Sequence, residues 1–378
     1  MIIGIDISSI PYGTGVSNYT LNLVRSLLKI DKTNTYKLFY SSLRLPLPPE
    51  IARYKDQTNV KIYHHRLPPT LLSFLWNQLH ILPIQNLIGQ IDVFHTSDWT
   101  QPPTKKAKNL TTIHDLVPFI YPETLHQRIV KTHKLKLQKA QKFCSHYICV
   151  SQNSQKDLLK LFPKINPKDT SVVYEAAENK YQDFLKLSPQ KQQQEKDKIY
   201  KLYDLKNFLL AQGTREPRKN LLRLISAFKQ FKKENPSSTL QLAITGKYGW
   251  GQDIKNNSSP SIRILGYIPE KDMVALHAAA TALIYPSLYE GFGLPLVKSL
   301  KVGTPVITSN TSSLPEVVGN AGLLVNPRST KDIKDAIQKI ATNYNLRKSL
   351  SQKGIIQAKL FSWDQTAKET LKIYQSLI

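Results

Sequence analysis

Short apolar and β-branched runs recur along the chain: IIGID at 2–6, YKLFY at 36–40, DVFH at 92–95, LTTIH at 110–114 and HYICV at 146–150. Helix-like segments separate several of them, which predicts a parallel α/β sheet. The same rhythm resumes with FLLA at 208–211, LQLAIT at 240–245, IRIL at 262–265, ALIY at 282–285 and PVIT at 305–308, predicting a second unit of the same kind. Between the two, residues 186–201 are rich in Lys and Gln and show no core-facing period, so the junction is placed there. The expected domains are 1–185 and 186–361, followed by a terminal helix over 362–378. Leu221, Leu224, Ile225, Phe228 and Phe231 repeat at helical spacing behind Asn220, a natural N-cap. In the terminal helix Trp363, Ala367, Leu371, Tyr374 and Leu377 are in phase.

Composition agrees with two domains, because 378 residues exceed what a single core usually serves. Charge is the outlier. A net +25, from 52 basic and 27 acidic residues, suits phosphates, nucleic acid or an anionic membrane face, or reflects a lysine-rich composition. No nucleic-acid recognition motif and no basic patch interleaved with aromatics accompanies it, so nucleic acid is not expected as a partner. Cys144 and Cys149 lack CxxC spacing, which points to buried thiols in a reducing compartment and to neither a disulfide framework nor a zinc site. The chain opens on a strand without a leader-like pattern, and its most apolar stretch, 71–83, is interrupted by Asn77, Gln78 and His80. A cytoplasmic protein is expected, with any membrane contact peripheral and on the inner face. Residues 126–142 are where such contact is expected: Arg128, Lys131, Lys134, Lys136, Lys139 and Lys142 accompany Leu125, Ile129, Val130, Leu135 and Leu137. The alternative is a solvated lysine face on a packed helix.

Ligands of open α/β sheets bind beyond the carboxyl ends of the strands, so the loops there carry the candidate chemistry. After the first strand, Gly13 and Gly15 flank a helix start, suiting either close backbone approach to a phosphate or sugar, or a tight turn. His114 and Asp115 follow LTTIH; taken alone they read as a satisfied core histidine beside a helix-capping aspartate. Gly213-Thr214-Arg215-Glu216-Pro217-Arg218-Lys219-Asn220 joins a strand to a helix, an anion site in context and a solvated basic loop otherwise. In Tyr285-Pro286-Ser287-Leu288-Tyr289-Glu290-Gly291-Phe292-Gly293-Leu294-Pro295, a strand end passes through two glycines into a helix. A lone carboxylate, Glu290, beside a phosphate site is electrostatically unfavourable unless it meets hydroxyls, which makes a sugar its natural partner.

SLYEGFGLP with the following GTPVITSNTSSLPEVVGNAGLLVNP resembles the signature of glycosyltransferase family 4. EPRKN at 216–220, GYIPEKDMVALHAAATALIYPS at 266–287, FSW at 361–363, VFH at 93–95, IHD at 113–115 and VSQNSQKDL at 150–158 fall in that family's order, so the resemblance covers nearly the whole chain. It implies the GT-B fold: two Rossmann-like domains with parallel sheets facing a central cleft, acceptor in the first and nucleotide sugar in the second, and a C-terminal helix crossing back to the first. It implies a retaining, metal-independent transfer, with no cofactor beyond the nucleotide-sugar donor. The mannosyltransferase-like motifs make GDP-mannose the first assignment and a UDP-hexose the second. The implied acceptor is a glycan or lipid-linked glycan of the cell envelope. By the same resemblance His114 contacts the donor sugar with Asp115 beside it, and Arg218 and Lys219 bind the diphosphate next to Gly213. Glu290 holds sugar hydroxyls, while the amides of Gly291, Phe292, Gly293 and Leu294 orient donor and phosphate. Gly13 and Gly15 line the phosphate or acceptor side.

Two positions depart from the family pattern. Thr214 stands where many members carry arginine, leaving Arg215 or Arg218 to substitute. Lys298 stands where the second glutamate of a Glu-x7-Glu pair accepts from ribose hydroxyls; an ammonium only donates. In the first turn of a helix that lysine would also oppose the helix dipole. Lys298 motivates a rival reading, a catalytically weak relative acting as a glycan-binding or scaffold subunit.

Overall fold

The computed structural model describes residues 1–96, 99–250 and 253–378. It divides into two compact units, Met1–Glu175 with Trp363–Ile378, and Ala176–Ser362. The division falls ahead of the expected junction. The polar stretch placed there instead folds as helix Pro189–Leu202, whose first turn is capped by Ser188. Only Ile199 of that helix is buried, so little of its packing shows as a period.

In the first unit β1 (Ile2–Asp6), β2 (Thr35–Ser41), β3 (Val60–His65), β4 (Val93–Thr96), β5 (Lys108–Ile113), β6 (His146–Cys149) and β7 (Thr170–Val172) form one sheet. Its order is β3-β2-β1-β4-β5-β6-β7, parallel throughout. Phe39, Phe94, Trp76 and Ile88 fill one cluster of its core, and Leu116, Leu137, Tyr147 and Cys149 another. The last helix, Trp363–Ser376, belongs to this unit and packs on helix Gly15–Ile30. Its buried stripe is Trp363, Thr366, Ala367, Thr370, Ile373 and Tyr374; Leu371 and Leu377 are only half-buried, because two threonines on the inner face hide the true phase from a hydrophobicity pattern. Tyr374 Oη lies 2.6 Å from His95 Nδ1, fastening the helix to β4.

The second unit carries β8 (Phe208–Gln212), β9 (Gln241–Thr245), β10 (Ile262–Gly266), β11 (Ala282–Tyr285), β12 (Val306–Ser309) and β13 (Gly322–Val325). They are also parallel, in the order β10-β9-β8-β11-β12-β13. Leu224, Ile225, Phe228 and Phe231 of helix Leu221–Glu234 are buried against Leu209, Leu242 and Ile284, as their spacing predicts. The three strands not foreseen, β3, β7 and β13, are all at sheet edges.

Two other expectations are corrected. Lys136 is buried and donates to Thr111 Oγ1 at 2.7 Å, so it is no part of an outer basic face on helix Gln127–Phe143. Arg128, Lys131, Lys134 and Lys142 are exposed, and Lys139 is half-buried. Cys149 is buried but Cys144 only half-buried; burial pushes both thiols up to about 12. Among the described residues no helix is long and apolar enough to cross a membrane.

In both sheets the strand order reverses beside the first strand, between β1 and β4 and between β8 and β11. Loops leaving adjacent strands at such a point diverge to opposite faces and open a crevice. Behind the second crevice the loops after β8 and β9 are zipped together by Gly213 N to Thr245 O at 3.1 Å and Arg215 N to Lys247 O at 3.0 Å. Gly246 makes this approach feasible: its φ is +130°, and a Cβ there would fall 1.8 Å from the Gly213 carbonyl oxygen. Gly246→Ala is therefore expected to destabilise the second unit by about 3 kcal/mol in denaturant unfolding. A change within about 0.5 kcal/mol would show that the loops do not depend on this contact.

Candidate functional site

At the reversal point of the second sheet, the loop after β8 meets the loop after β11. Pro217–Lys219 forms a single 3-10 turn, closed by Asn220 in the left-handed region at φ 60°. Asn220 precedes helix Leu221–Glu234 as expected, but its side chain makes no cap. It donates instead to the carbonyls of Pro286 at 3.0 Å and Pro327 at 2.7 Å. Leu288 N donates to Arg218 O at 2.9 Å. The two loops are thus held in register by backbone and amide bonds before any charged group is considered.

That register brings Glu290 against both cations. Its Oε2 accepts from Arg218 Nη1 at 2.7 Å, and its Oε1 from Lys219 Nζ at 2.7 Å. Lys219 Nζ also donates to Tyr285 Oη at 2.6 Å, and Arg218 Nη1 to Tyr289 O at 2.6 Å. The second guanidinium nitrogen of Arg218 pairs with Glu216, a buried carboxylate that sequence reasoning left without a role. Burial alone would raise the Glu290 carboxyl, but Arg218 and Lys219 overcome it and hold the group at about 2. Burial lowers the Lys219 ammonium, opposed by Glu290. Glu290 is therefore ionised throughout the neutral range, and its two oxygens keep lone pairs for further donors.

The glycine loop gives Glu290 its place. Gly293, at φ +108°, starts helix Leu294–Lys301. Ser312 Oγ accepts from Glu290 N at 3.1 Å, and Ser313 Oγ donates to the carbonyls of Glu290 and Phe292, both at 2.9 Å. These serines were not singled out in the sequence, where they look like ordinary loop residues. The Phe292 ring faces inward, edge-on to Phe361 at 5.5 Å, so any ligand contact from this residue is through its backbone. Gly213, at φ +144°, lies beside the Lys219 side chain. Arg215 differs from its neighbours: its Nε and Nη1 are buried without a hydrogen-bond partner among the described residues, and its guanidinium lies 5.6 Å from the centre of the Tyr248 ring.

Lys298 is buried, with Nζ 5.2 Å from the centre of the Tyr181 ring. Helix Leu294–Lys301 is so short that Lys298 falls in its last turn, where the dipole favours a cation, and not in the opposed first turn. Close by, His277 is buried, with Nδ1 2.7 Å from Ser299 Oγ and Nε2 2.7 Å from Gln212 Oε1. Burial and then Lys298 hold it neutral, at about 3.

In the first unit His114 is not a satisfied core histidine. Its Nδ1 lies 2.9 Å from Glu175 Oε1, while Nε2 is buried without a partner among the described residues. Asp115 accepts from Val117 N at 3.0 Å, but helix Val117–Ile120 starts from Leu116 without a side-chain cap, so the aspartate braces the turn ahead of the helix and does not cap it. Gly13 has φ +65°, whereas Gly15 does not require a left-handed backbone; a Cβ on either would meet nothing within 4 Å. Packing therefore does not explain Gly15, and open space in front of it leaves room for a ligand.

The sequence model for glycosyltransferase family 4 matches residues 13–177, and that for glycosyl transferases group 1 matches residues 192–357. Over 96% of both chains the protein is 29% identical to O-antigen chain mannosyltransferase B of Escherichia coli. It is 28% identical to O-antigen chain mannosyltransferase RfbU of Salmonella typhimurium over 87% of both. Sucrose-phosphate synthase from Thermosynechococcus elongatus superposes with a TM-score of 0.75 at 18% identity, covering 100% of this chain and 99% of that one, and so shares the fold. Two parallel-sheet Rossmann-like units in one chain are the GT-B architecture. With one sequence model on each half and relatives along its whole length, the chain belongs to glycosyltransferase family 4.

Proposed function

We propose that this glycosyltransferase moves a hexose from a nucleotide sugar to a glycan or lipid-linked acceptor in cell-envelope polysaccharide synthesis. Mannose from GDP-mannose is the first assignment, and a UDP-hexose the second. The observation that carries the donor site is Glu290 held between Arg218 and Lys219 at the strand reversal of the second sheet. Full-length similarity to two O-antigen mannosyltransferases supports mannose and an envelope glycan.

In this reading the carboxylate of Glu290 accepts from sugar hydroxyls, and Lys219, Arg218 and Arg215 face the diphosphate. Charge grows on the departing diphosphate in the transition state, and fixed cations stabilise it most where water is excluded. That lets the reaction run without a metal, with the sugar delivered to the face the diphosphate leaves. Arg215 takes the role that Thr214 cannot, since its orphaned N–H groups suit a phosphate oxygen. Gly213 and the amides of Gly291, Phe292, Gly293 and Leu294 allow the donor close to the backbone. Lys298 donates to the ribose or phosphate, and His114 meets a sugar hydroxyl. The acceptor belongs to the first unit, near Gly13 and Gly15. Exposed Arg128, Lys131, Lys134 and Lys142 bring that unit to anionic headgroups. They are joined by the exposed apolar residues Leu71, Phe74, Leu79, Ile81, Ile129 and Phe143, and the Phe143 ring stacks on His80 at 4.0 Å.

The purified protein, screened in EDTA against GDP- and UDP-sugars, is expected to turn over GDP-mannose with retention at the anomeric carbon; inversion, or turnover only after metal addition, would refute the mechanism. Glu290→Ala and Lys219→Ala should each lower turnover by about a hundred- to a thousandfold in folded protein, and near-normal rates in either would remove that residue from the site. Lys298→Met is expected to weaken donor binding by about tenfold; unchanged affinity would leave the lysine a packing role against Tyr181. Co-sedimentation with anionic vesicles should be strong at low salt, weaken as salt rises, and fall when the four exposed cations are made glutamine, each contributing about 1 kcal/mol. Equal binding by that variant would rule the surface out.

A further inference from the structure

The unpartnered nitrogen of His114 is explained by what holds the other one. His114 leaves the end of β5, and Glu175 follows β7; both belong to the first unit. Glu175 is 5% exposed, and its Oε1 lies 2.9 Å from His114 Nδ1. The ring plane is set independently: the Tyr19 ring meets it edge-on, centroids 4.6 Å apart at 83°. Tyr19 is itself pinned, its Oη 3.1 Å from Thr112 Oγ1, which in turn lies 2.7 Å from His95 Nε2. Glu175 and Tyr19 thus fix where the imidazole points, and Nε2 is left buried with no partner among the described residues.

An ionised carboxylate accepts hydrogen bonds and cannot donate them, so the nitrogen facing Glu175 must carry a proton. In the neutral ring the lone pair is then on Nε2. A buried acceptor left unpaired costs free energy that a ligand hydroxyl recovers. We infer that Glu175 is a positioning residue that sets the tautomer and orientation of His114, so that Nε2 presents an acceptor to a sugar hydroxyl. This deepens the proposed role of His114 as a sugar contact and rests on that reading. It further specifies that the histidine receives the substrate's hydrogen and does not give one.

Two measurements test it in the full-length protein. Long-range proton–nitrogen NMR on isotope-labelled histidine, at alkaline pH and assigned by loss of the signal in His114→Ala, should show His114 protonated at Nδ1 and bare at Nε2. A ring protonated at Nε2 overturns the inference. This reading needs no turnover, so it decides the matter even if no donor is found and the glycosyl-transfer proposal fails. Glu175→Gln is expected to lower turnover by roughly ten- to a hundredfold with an unchanged circular dichroism spectrum. Introduced into His114→Ala, the same substitution should have no further effect, because Glu175 acts through the histidine. Losses that add in the double variant would show a separate structural role and overturn the inference.

Discussion

The second unit depends on neutralising buried charge. Arg218, Lys219, Glu216 and Glu290 are two cations and two carboxylates on two different loops, and each is paired to another member of the set. Removing one partner from such a cluster leaves an uncompensated charge in low dielectric, at a cost of about 3–5 kcal/mol. The loops are therefore not free to drift: the electrostatics demand the register that Asn220 and the Leu288 amide establish through backbone carbonyls. The quartet also sums to zero, so its cations are not a pool of loose positive charge. Arg218 and Lys219 are already engaged by carboxylates, whereas Arg215 Nε and Nη1 are buried with no such partner among the described residues.

Buried histidines serve two contrasting purposes in this chain. His277 and His95 are buried, with both ring nitrogens engaged by neutral groups, and burial holds each at about 3. They act as rigid cross-links between a strand and a helix. His114 has one nitrogen on a carboxylate and the other unsatisfied, an arrangement that is poor for a structural bolt and suited to contact with a ligand.

Among the described residues ten of thirteen strands were legible: nine are central strands of a parallel sheet, buried on both faces and reading as apolar runs, and the tenth, β10, is an edge strand that keeps an apolar run. The edge strands β3, β7 and β13 carry mixed or very short patterns that periodicity does not resolve. Helix Pro189–Leu202 was hidden for the same reason, being polar almost all round. Loops rich in glycine and charge announced Arg218, Lys219 and Glu290, but sequence spacing could not show that they pair with one another. Glu175 and Glu216 were missed because a carboxylate in a loop reads as solvated until the fold buries it. Lys298 was assigned to the wrong turn because its helix is only eight residues long, closed early by Gly303 at φ +76°, so that its first and last turns nearly meet.

That the last helix, Trp363–Ser376, packs within the first unit has a consequence for biosynthesis. The ribosome delivers Ala176–Ser362, with its whole sheet and core, before the segment that Tyr19, Tyr174 and His95 require. The second unit can close on its own residues as soon as it emerges, whereas the first waits with the groove along helix Gly15–Ile30 uncovered. Although it is made first, the N-terminal unit is thus the last to finish folding, and it is the unit more exposed to chaperones and proteases in the interval.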